Sequence, residues 1–299
     1  MAGVERLARW LKIRPGMILA GLAMIWCALG AGVDSAAGYV LQGPFVLEMM
    51  ARNLSGASTL RVTQQVTIQD PEISNEPVIM EETLSYIFPA QFRSEIVQQN
   101  SRRIQVVDNA ETLTIIDDHI SPNPPNRFDR YKDLLLYNTP ELLQKILALS
   151  GVDVGTTTLG RSGDQIVYVI GARYPDESAS QLWVDKDQLL PLRWLMIRRA
   201  DTPSDPGHRW EFVYSAWQKV DGVMYPFSIE TFYNGQCIRR IRVTKVEANA
   251  VIDKQLVDIA HLRSIYQVIE APHPGQTPPD SGMDEVQRTL EEFKEKFKP

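Results

Sequence analysis

Along this chain the spacing of apolar residues switches between three-to-four and two. In Pro44–Leu54, PFVLEMMARNL, the residues Phe45, Met49 and Met50, with Leu54 four further on, recur at helical spacing, and Gly56 supplies a stop. From Leu60 the period is two. Leu60, Val62, Val66 and Ile68 alternate with polar residues in TLRVTQQVTIQ, the pattern of a strand with one buried face. The short segments Leu84–Tyr86, Phe92–Ile96, Arg103–Val106 and Thr112–Ile115 continue in the same style. Brief turns between them predict an antiparallel meander.

A polar loop with Pro122, Pro124 and Pro125 spans Asp117–Arg130. Thr139-Pro140-Glu141 then predicts a helix start, because Thr caps well and Pro suits the first helical position. Leu142, Leu143, Ile146, Leu147 and Leu149 make that helix apolar over a wide face, which predicts cover on most sides, and Gly151 ends it. Strands resume at 165–171, 181–185, 190–198, 208–217, 225–233 and 236–247, with Trp210, Phe212 and Tyr214 on one face. Asn234-Gly235, between two alternating runs, is a strong hairpin signal, and Asp221-Gly222 marks another turn. A short helix from about Asp253 closes the domain near Leu262.

Residues 263–282 read as a linker; the stretch APHPGQTPPDSG at 271–282 is rich in Pro and Gly. In 283–299, Met283, Val286, Leu290, Phe293 and Phe297 fall three or four apart, predicting an amphipathic helix that needs a surface to lie against. No repeat of fixed period is visible.

The first 37 residues change the picture of where the chain works. Arg6, Arg9, Lys12 and Arg14 precede the uncharged run Met17–Val33, and Ser35-Ala36-Ala37 offers small residues for cleavage, so 1–37 reads as a secretory signal peptide and the protein as periplasmic. An uncleaved anchor is the other reading, because the run approaches bilayer length; Gly21, Gly30 and Gly32 favour cleavage. Trp26 before Cys27 argues against lipidation. The remaining domain is 38–262. Cleavage leaves 27 basic and 35 acidic residues, a net charge of −8, which opposes a general nucleic-acid-binding role. Cys237 is then the sole cysteine, so neither a disulfide framework nor a thiolate zinc site is available.

Candidate chemistry is sparse. Gly155–Ser162, GTTTLGRS, matches a phosphate-binding loop except that Arg161 stands where Lys is required, and a strand follows it instead of a helix; a Gly-rich β-turn is the better reading. Asp117, Asp118 and His119 are adjacent and so point apart on an extended chain, which favours a solvated loop over a ligand or acid–base set. Glu81-Glu82 reads as a turn or strand-edge pair. Arg198-Arg199 and Arg239-Arg240-x-Arg242 are the densest basic spots: Arg240 and Arg242 share a strand face and Arg239 takes the other. A solvated, edge-protecting face is favoured there over a site for anionic headgroups. No cofactor, metal or catalytic set emerges, and the chain reads as a non-enzymatic protein.

The apolar inventory is more informative. Trp183, Trp194, Trp210, Phe212, Tyr214 and Trp217 gather in the later strands, and two apolar helices must be accommodated. One large core between sheet and helices accounts for this; the sharper alternative is a curved sheet whose concave face holds an apolar cavity under a helical lid. Met49 and Met50 suit such a lid, since Met adapts to irregular ligands.

The phrase LWVDKDQLLPLRW, followed by DGVMYPFSIETFYNG, resembles the LolA-like family of periplasmic outer-membrane lipoprotein-sorting proteins across roughly 44–262. The resemblance implies a mainly β (α+β) fold: an antiparallel half-open β-barrel with helices covering its concave face, to which 283–299 adds the amphipathic helix. It implies an apolar cavity for acyl chains of a lipoprotein or another lipid. The cavity and lid residues expected are Phe45, Met49, Met50, Leu143, Leu147, Trp194, Trp210 and Phe212. Each methylene transferred from water into such a cavity gains about 0.8 kcal/mol. Residues 283–297 are the expected contact with an envelope protein partner or a membrane surface. The rival class is a lipid-sensing or protein-interaction module in an envelope signalling or assembly complex.

Overall fold

A computed structural model describes residues 40–69, 77–98, 101–109, 111–122, 127–198 and 207–268. The expected signal peptide, the Pro-rich segment 271–282 and the amphipathic segment 283–299 lie outside the described residues.

Helix α1 (Gly43–Leu54) opens the described chain. Strands β1 (Thr59–Ile68), β2 (Val78–Ile87), β3 (Gln91–Gln98), β4 (Ser101–Asp108), β5 (Glu111–Ile116) and β6 (His119–Ile120) follow as the expected meander. A 3-10 turn (Arg127–Lys132) runs into helix α2 (Asp133–Leu136), and α3 (Pro140–Leu149) follows. The second half is β7 (Thr157–Ser162), β8 (Gln165–Ile170), β9 (Gln181–Asp185), β10 (Pro191–Arg198), β11 (His208–Val220), β12 (Val223–Tyr233) and β13 (Gln236–Ala248). Helix α4 (Ile259–Ile265) and β14 (Gln267–Val268) keep the chain in regular structure six residues into the stretch read as linker.

All fourteen strands among the described residues share one sheet, ordered β14-β6-β5-β4-β3-β2-β1-β13-β12-β11-β10-β9-β8-β7. Every pairing is antiparallel except β14 on β6. The join between the two meanders is β1 on β13, with Leu60 opposite Ala248 and Val66 opposite Ile241, so the first strand closes on the last long one. The sheet is open, with β14 and β7 at its edges. It is also curled. β2 and β12 are three strand spacings apart, about 14 Å on a flat sheet, yet the Tyr86 and Tyr225 hydroxyls meet at 3.0 Å over the concave face.

The local rules account for much of this. Thr139 caps α3 by accepting the Leu142 N–H at 3.4 Å, with Pro140 at the first helical position. Asn234 and Gly235 both adopt positive φ (47° and 84°), as do Asp221 and Gly222 (48° and 90°), the geometry of type I′ hairpin turns.

Three expectations need correction. The buried stripe of α1 is Gly43, Val46, Leu47, Met50, Ala51 and Leu54, whereas Phe45 is 47% exposed and Met49 half-buried. Both stripes are apolar at helical spacing, and the sheet takes the broader one. Helix α3 is covered on one side only: Leu143 and Leu147 are fully buried while Leu149 is 70% exposed. The GTTTLGRS segment is mostly strand β7, with its turn at Gly163.

The main core fills the concave side. It joins Val46, Leu47 and Met50 of α1, Leu134–Leu136 of α2 and Leu143 and Leu147 of α3 to inward residues of both meanders. Two smaller clusters lie on the outer face: Ile104, Val106, Leu113 and Ile115 under Ile259 and Leu262 of α4, and Val167, Val169 and Trp183 with Ala172.

Candidate functional site

The concave face divides into an aromatic half and a polar half. On β10–β12, Trp194 stands opposite Phe212 with rings 5.6 Å apart, and Trp210 opposite Tyr233 with rings 4.7 Å apart. Trp194, Phe212, Tyr214 and Tyr225 are fully buried, and Trp210 nearly so. Of the expected cavity and lid residues, Met50, Leu143, Leu147, Trp194, Trp210 and Phe212 belong to this one core, while Phe45 and Met49 stand outside its buried set. Trp183, whose cross-strand partners are Arg193 and Val169, lies on the outer face.

The polar half has no counterpart among the expected cavity and lid residues. Glu82 on β2, Gln64 on β1, Ser94 on β3, Arg103 on β4 and Arg239 on β13 all enter the concave side, where Asp129 of the 3-10 turn meets them. Arg239 Nη1 donates to Asp129 Oδ1 at 2.7 Å and its Nη2 to Glu82 Oε2 at 3.2 Å. Arg103 Nη2 donates to the other Asp129 oxygen at 2.9 Å. Gln64 Nε2 donates to Glu82 Oε2 at 2.7 Å and to the Tyr131 hydroxyl at 3.0 Å, and Ser94 Oγ donates to Glu82. The Arg239 guanidinium lies 5.0 Å from the Tyr131 ring centroid. Two carboxylates and two guanidiniums balance, as buried charge requires.

Burial alone would raise the Asp129 carboxyl, but Arg103, Arg239 and Lys132 outweigh it and hold the group down at about 2. Burial pushes the Tyr86 and Tyr131 hydroxyls up, and neighbouring Tyr225 and Glu82 respectively add to that, so both stay protonated.

Segment 127–136 is thus tied to both halves. Asp129 joins the ionic side, while Tyr131 C=O accepts from Tyr214 Oη at 2.7 Å and the Arg130 guanidinium sits 5.7 Å from the Trp194 ring. The Asp117–Arg130 stretch, read as a polar loop, therefore ends in a buried anchor. Glu82, read as a turn or strand-edge residue, is 2% exposed, and Arg239, placed by its spacing on the face opposite Arg240 and Arg242, is 3% exposed. Arg240 does take the outer face, paired with Glu230 at 2.9 Å. Three polar atoms on the concave side, Trp194 Nε1, Gln64 Oε1 and Thr231 Oγ1, have no hydrogen-bond partner among the described residues.

This geometry matches a known architecture. A LolA superfamily protein from Nitrosomonas europaea superposes with a TM-score of 0.51 at 11% identity, over 73% of this chain and 98% of that one. The fold is LolA-like. An outer membrane lipoprotein-sorting protein domain from Vibrio parahaemolyticus (TM-score 0.48, 9% identity) and a DUF1329 family protein from Desulfovibrio piger (0.48, 12%) are similar over 74% of this chain and 98% of theirs. No protein-family model and no curated protein matches the sequence. The LolA-like sheet here carries α1, α2 and α3 on the concave side and α4 on the outer face, and no described helix is long and apolar enough to cross a membrane.

Proposed function

We propose that this protein is a non-enzymatic periplasmic carrier that holds acyl chains of a lipoprotein or another lipid between the aromatic half of its sheet and its concave-side helices. One observation carries the reading. Met50, Leu143 and Leu147 form an apolar layer in the same buried core as Trp194, Trp210 and Phe212. They sit on short helices joined to the rest by loops, and α3 is covered on one side only. An acyl chain that displaces this layer replaces apolar contact with apolar contact and gains about 0.8 kcal/mol per methylene withdrawn from water.

The test is native mass spectrometry of the exported chain purified without detergent, followed by solvent extraction. A stoichiometric acyl lipid supports the carrier. A clean apo mass, with no uptake of a fluorescent fatty acid, overturns it. A second reading, a protein-binding module in an envelope signalling or assembly complex, draws on Phe45 and Leu149, which the helices present outward, and on residues 283–297 as the contact. Under that reading, deleting 271–299 abolishes function while the fold persists.

A further inference from the structure

A second concavity lies on the outer face of the sheet, away from the helices. Its volume is about 660 Å³, within the range that holds a small ligand. Trp183, Leu192, Val213 and Trp217 give it apolar wall, and Arg161, Gln165, Asp185 and Gln188 give it polar rim. Cross-strand pairs Trp183–Arg193 and Arg193–Val213 place its floor on the face opposite Trp194 and Phe212. The left-handed Ala216 (φ 52°) bends β11 beside Trp217 at one end.

The charges in this groove are largely satisfied within the protein. Arg193 donates from Nη1 to Glu177 at 2.5 Å and from Nε to Glu211 at 2.6 Å, and its guanidinium stacks 4.7 Å from the Trp183 ring. Asp185, 6% exposed, accepts the Asp187 and Gln188 N–H groups on one oxygen, at 2.9 and 2.6 Å; its other oxygen has no partner among the described residues. Arg161, on the rim, has no ionic partner there either. What the groove offers a ligand is therefore one carboxylate oxygen, one guanidinium, the amides of Gln165 and Gln188, the hydroxyls of Ser162 and Ser215, and the half-buried Trp217 indole, since Trp183 is buried beneath Arg193.

That set does not suit an anion, because Asp185 opposes Arg161, and it lacks the continuous apolar surface that a lipid chain or bilayer needs. Planar donors and acceptors beside the half-buried Trp217 indole match a molecule with one apolar ring face and many hydroxyls. We propose that the groove is a binding site for a neutral oligosaccharide, with a pyranose C–H face against Trp217 and hydroxyls on Asp185, Arg161 and the two glutamines. The proposal does not rest on the acyl-carrier reading, although of the groove's lining Tyr214 belongs to the concave core and Trp217 packs against it.

Saturation-transfer NMR on the full chain with chitotetraose and with maltotetraose tests this. Transfer to at least one tetrasaccharide is expected. The double substitution Arg161→Ala, Gln165→Ala removes only exposed side chains and is expected to weaken binding about tenfold or more, the loss of one hydrogen bond to a charged group. Trp217→Phe, which keeps an aromatic ring but shortens the platform, weakens it as well. Unchanged melting temperature and fatty-acid uptake in the double variant show that fold and concave side are intact. Absence of transfer from both sugars, or binding that the double variant leaves unaltered, overturns the proposal.

Discussion

Arg239 of β13 and Asp129 of the 3-10 turn, 110 residues apart in sequence, are joined at 2.7 Å inside the concave side of the sheet. The pair fastens the crossing segment between the two meanders to the strand where the meanders meet. Because Asp129 also takes Arg103 from β4, and Arg239 also takes Glu82 from β2, one carboxylate and one guanidinium fix segment 127–136 against three strands.

Removing one partner leaves the others charged and buried. Arg239→Met is expected to lower unfolding free energy by about 3–5 kcal/mol, read from the urea midpoint. Arg240→Met, which breaks an exposed pair with Glu230, is expected to change it by less than about 1 kcal/mol. Equal effects would mean that the buried network is not the anchor of this segment.

The same network sets an acid limit. The Asp129 carboxyl is held at about 2 in the folded chain, below the unfolded value of about 3.9. A depressed carboxyl contributes stability that is present above the unfolded value and is lost as pH falls toward the folded one. Stability should therefore drop by on the order of 2 kcal/mol between about pH 5 and 2 on account of this group. Glu177, on the outer face, is also held at about 2, chiefly by hydrogen bonding to Arg193, but its side chain is a third exposed and contributes less. Denaturation at stepped pH should show a shallower acid slope in Asp129→Asn than in the parent chain; identical slopes would place the acid sensitivity elsewhere.

Much of the fold is legible because its signals are local. Period-two runs mark the strands, Asn234-Gly235 and Asp221-Gly222 mark the tight turns, and Thr139-Pro140 starts α3. The polar half of the site left a fainter mark. Glu82 sits in the row Met80, Leu84, Tyr86, Gln64 sits between Val62 and Val66, and Arg239 shares parity with Ile241. A charged or amide side chain in an apolar row signals a buried partner, but nothing local says which one. Asp129 lies in a Pro-containing stretch whose burial depends on the sheet having curled around it. The choice between the two apolar stripes of α1 was likewise made by the sheet, since both Phe45 and Val46 satisfy helical spacing.

The β12–β13 turn offers a test free of the core. Gly235 has φ 84° and open space where a Cβ would sit. Gly235→Ala should thus cost only the left-handed backbone penalty, roughly 1–2 kcal/mol, visible in thermal unfolding. Gly43→Ala should cost more, because its Cβ would fall 2.2 Å from the Val154 carbonyl oxygen. A neutral effect at both positions would contradict the backbone geometry.

The helical layer supplies the last prediction, because stability and ligand uptake should there move in opposite directions. Leu147 is fully buried against the concave core, and Leu147→Ala is expected to cost about 2–5 kcal/mol through lost burial and the cavity left behind. If the layer is what an acyl chain displaces, the emptied volume and weaker closure should raise affinity for a fluorescent fatty acid even as the midpoint of unfolding falls. Leu113→Ala removes a similar side chain from the outer cluster under α4. It should lower stability while leaving uptake unchanged. Equal uptake in both variants would separate α3 from any ligand and favour a permanently filled core.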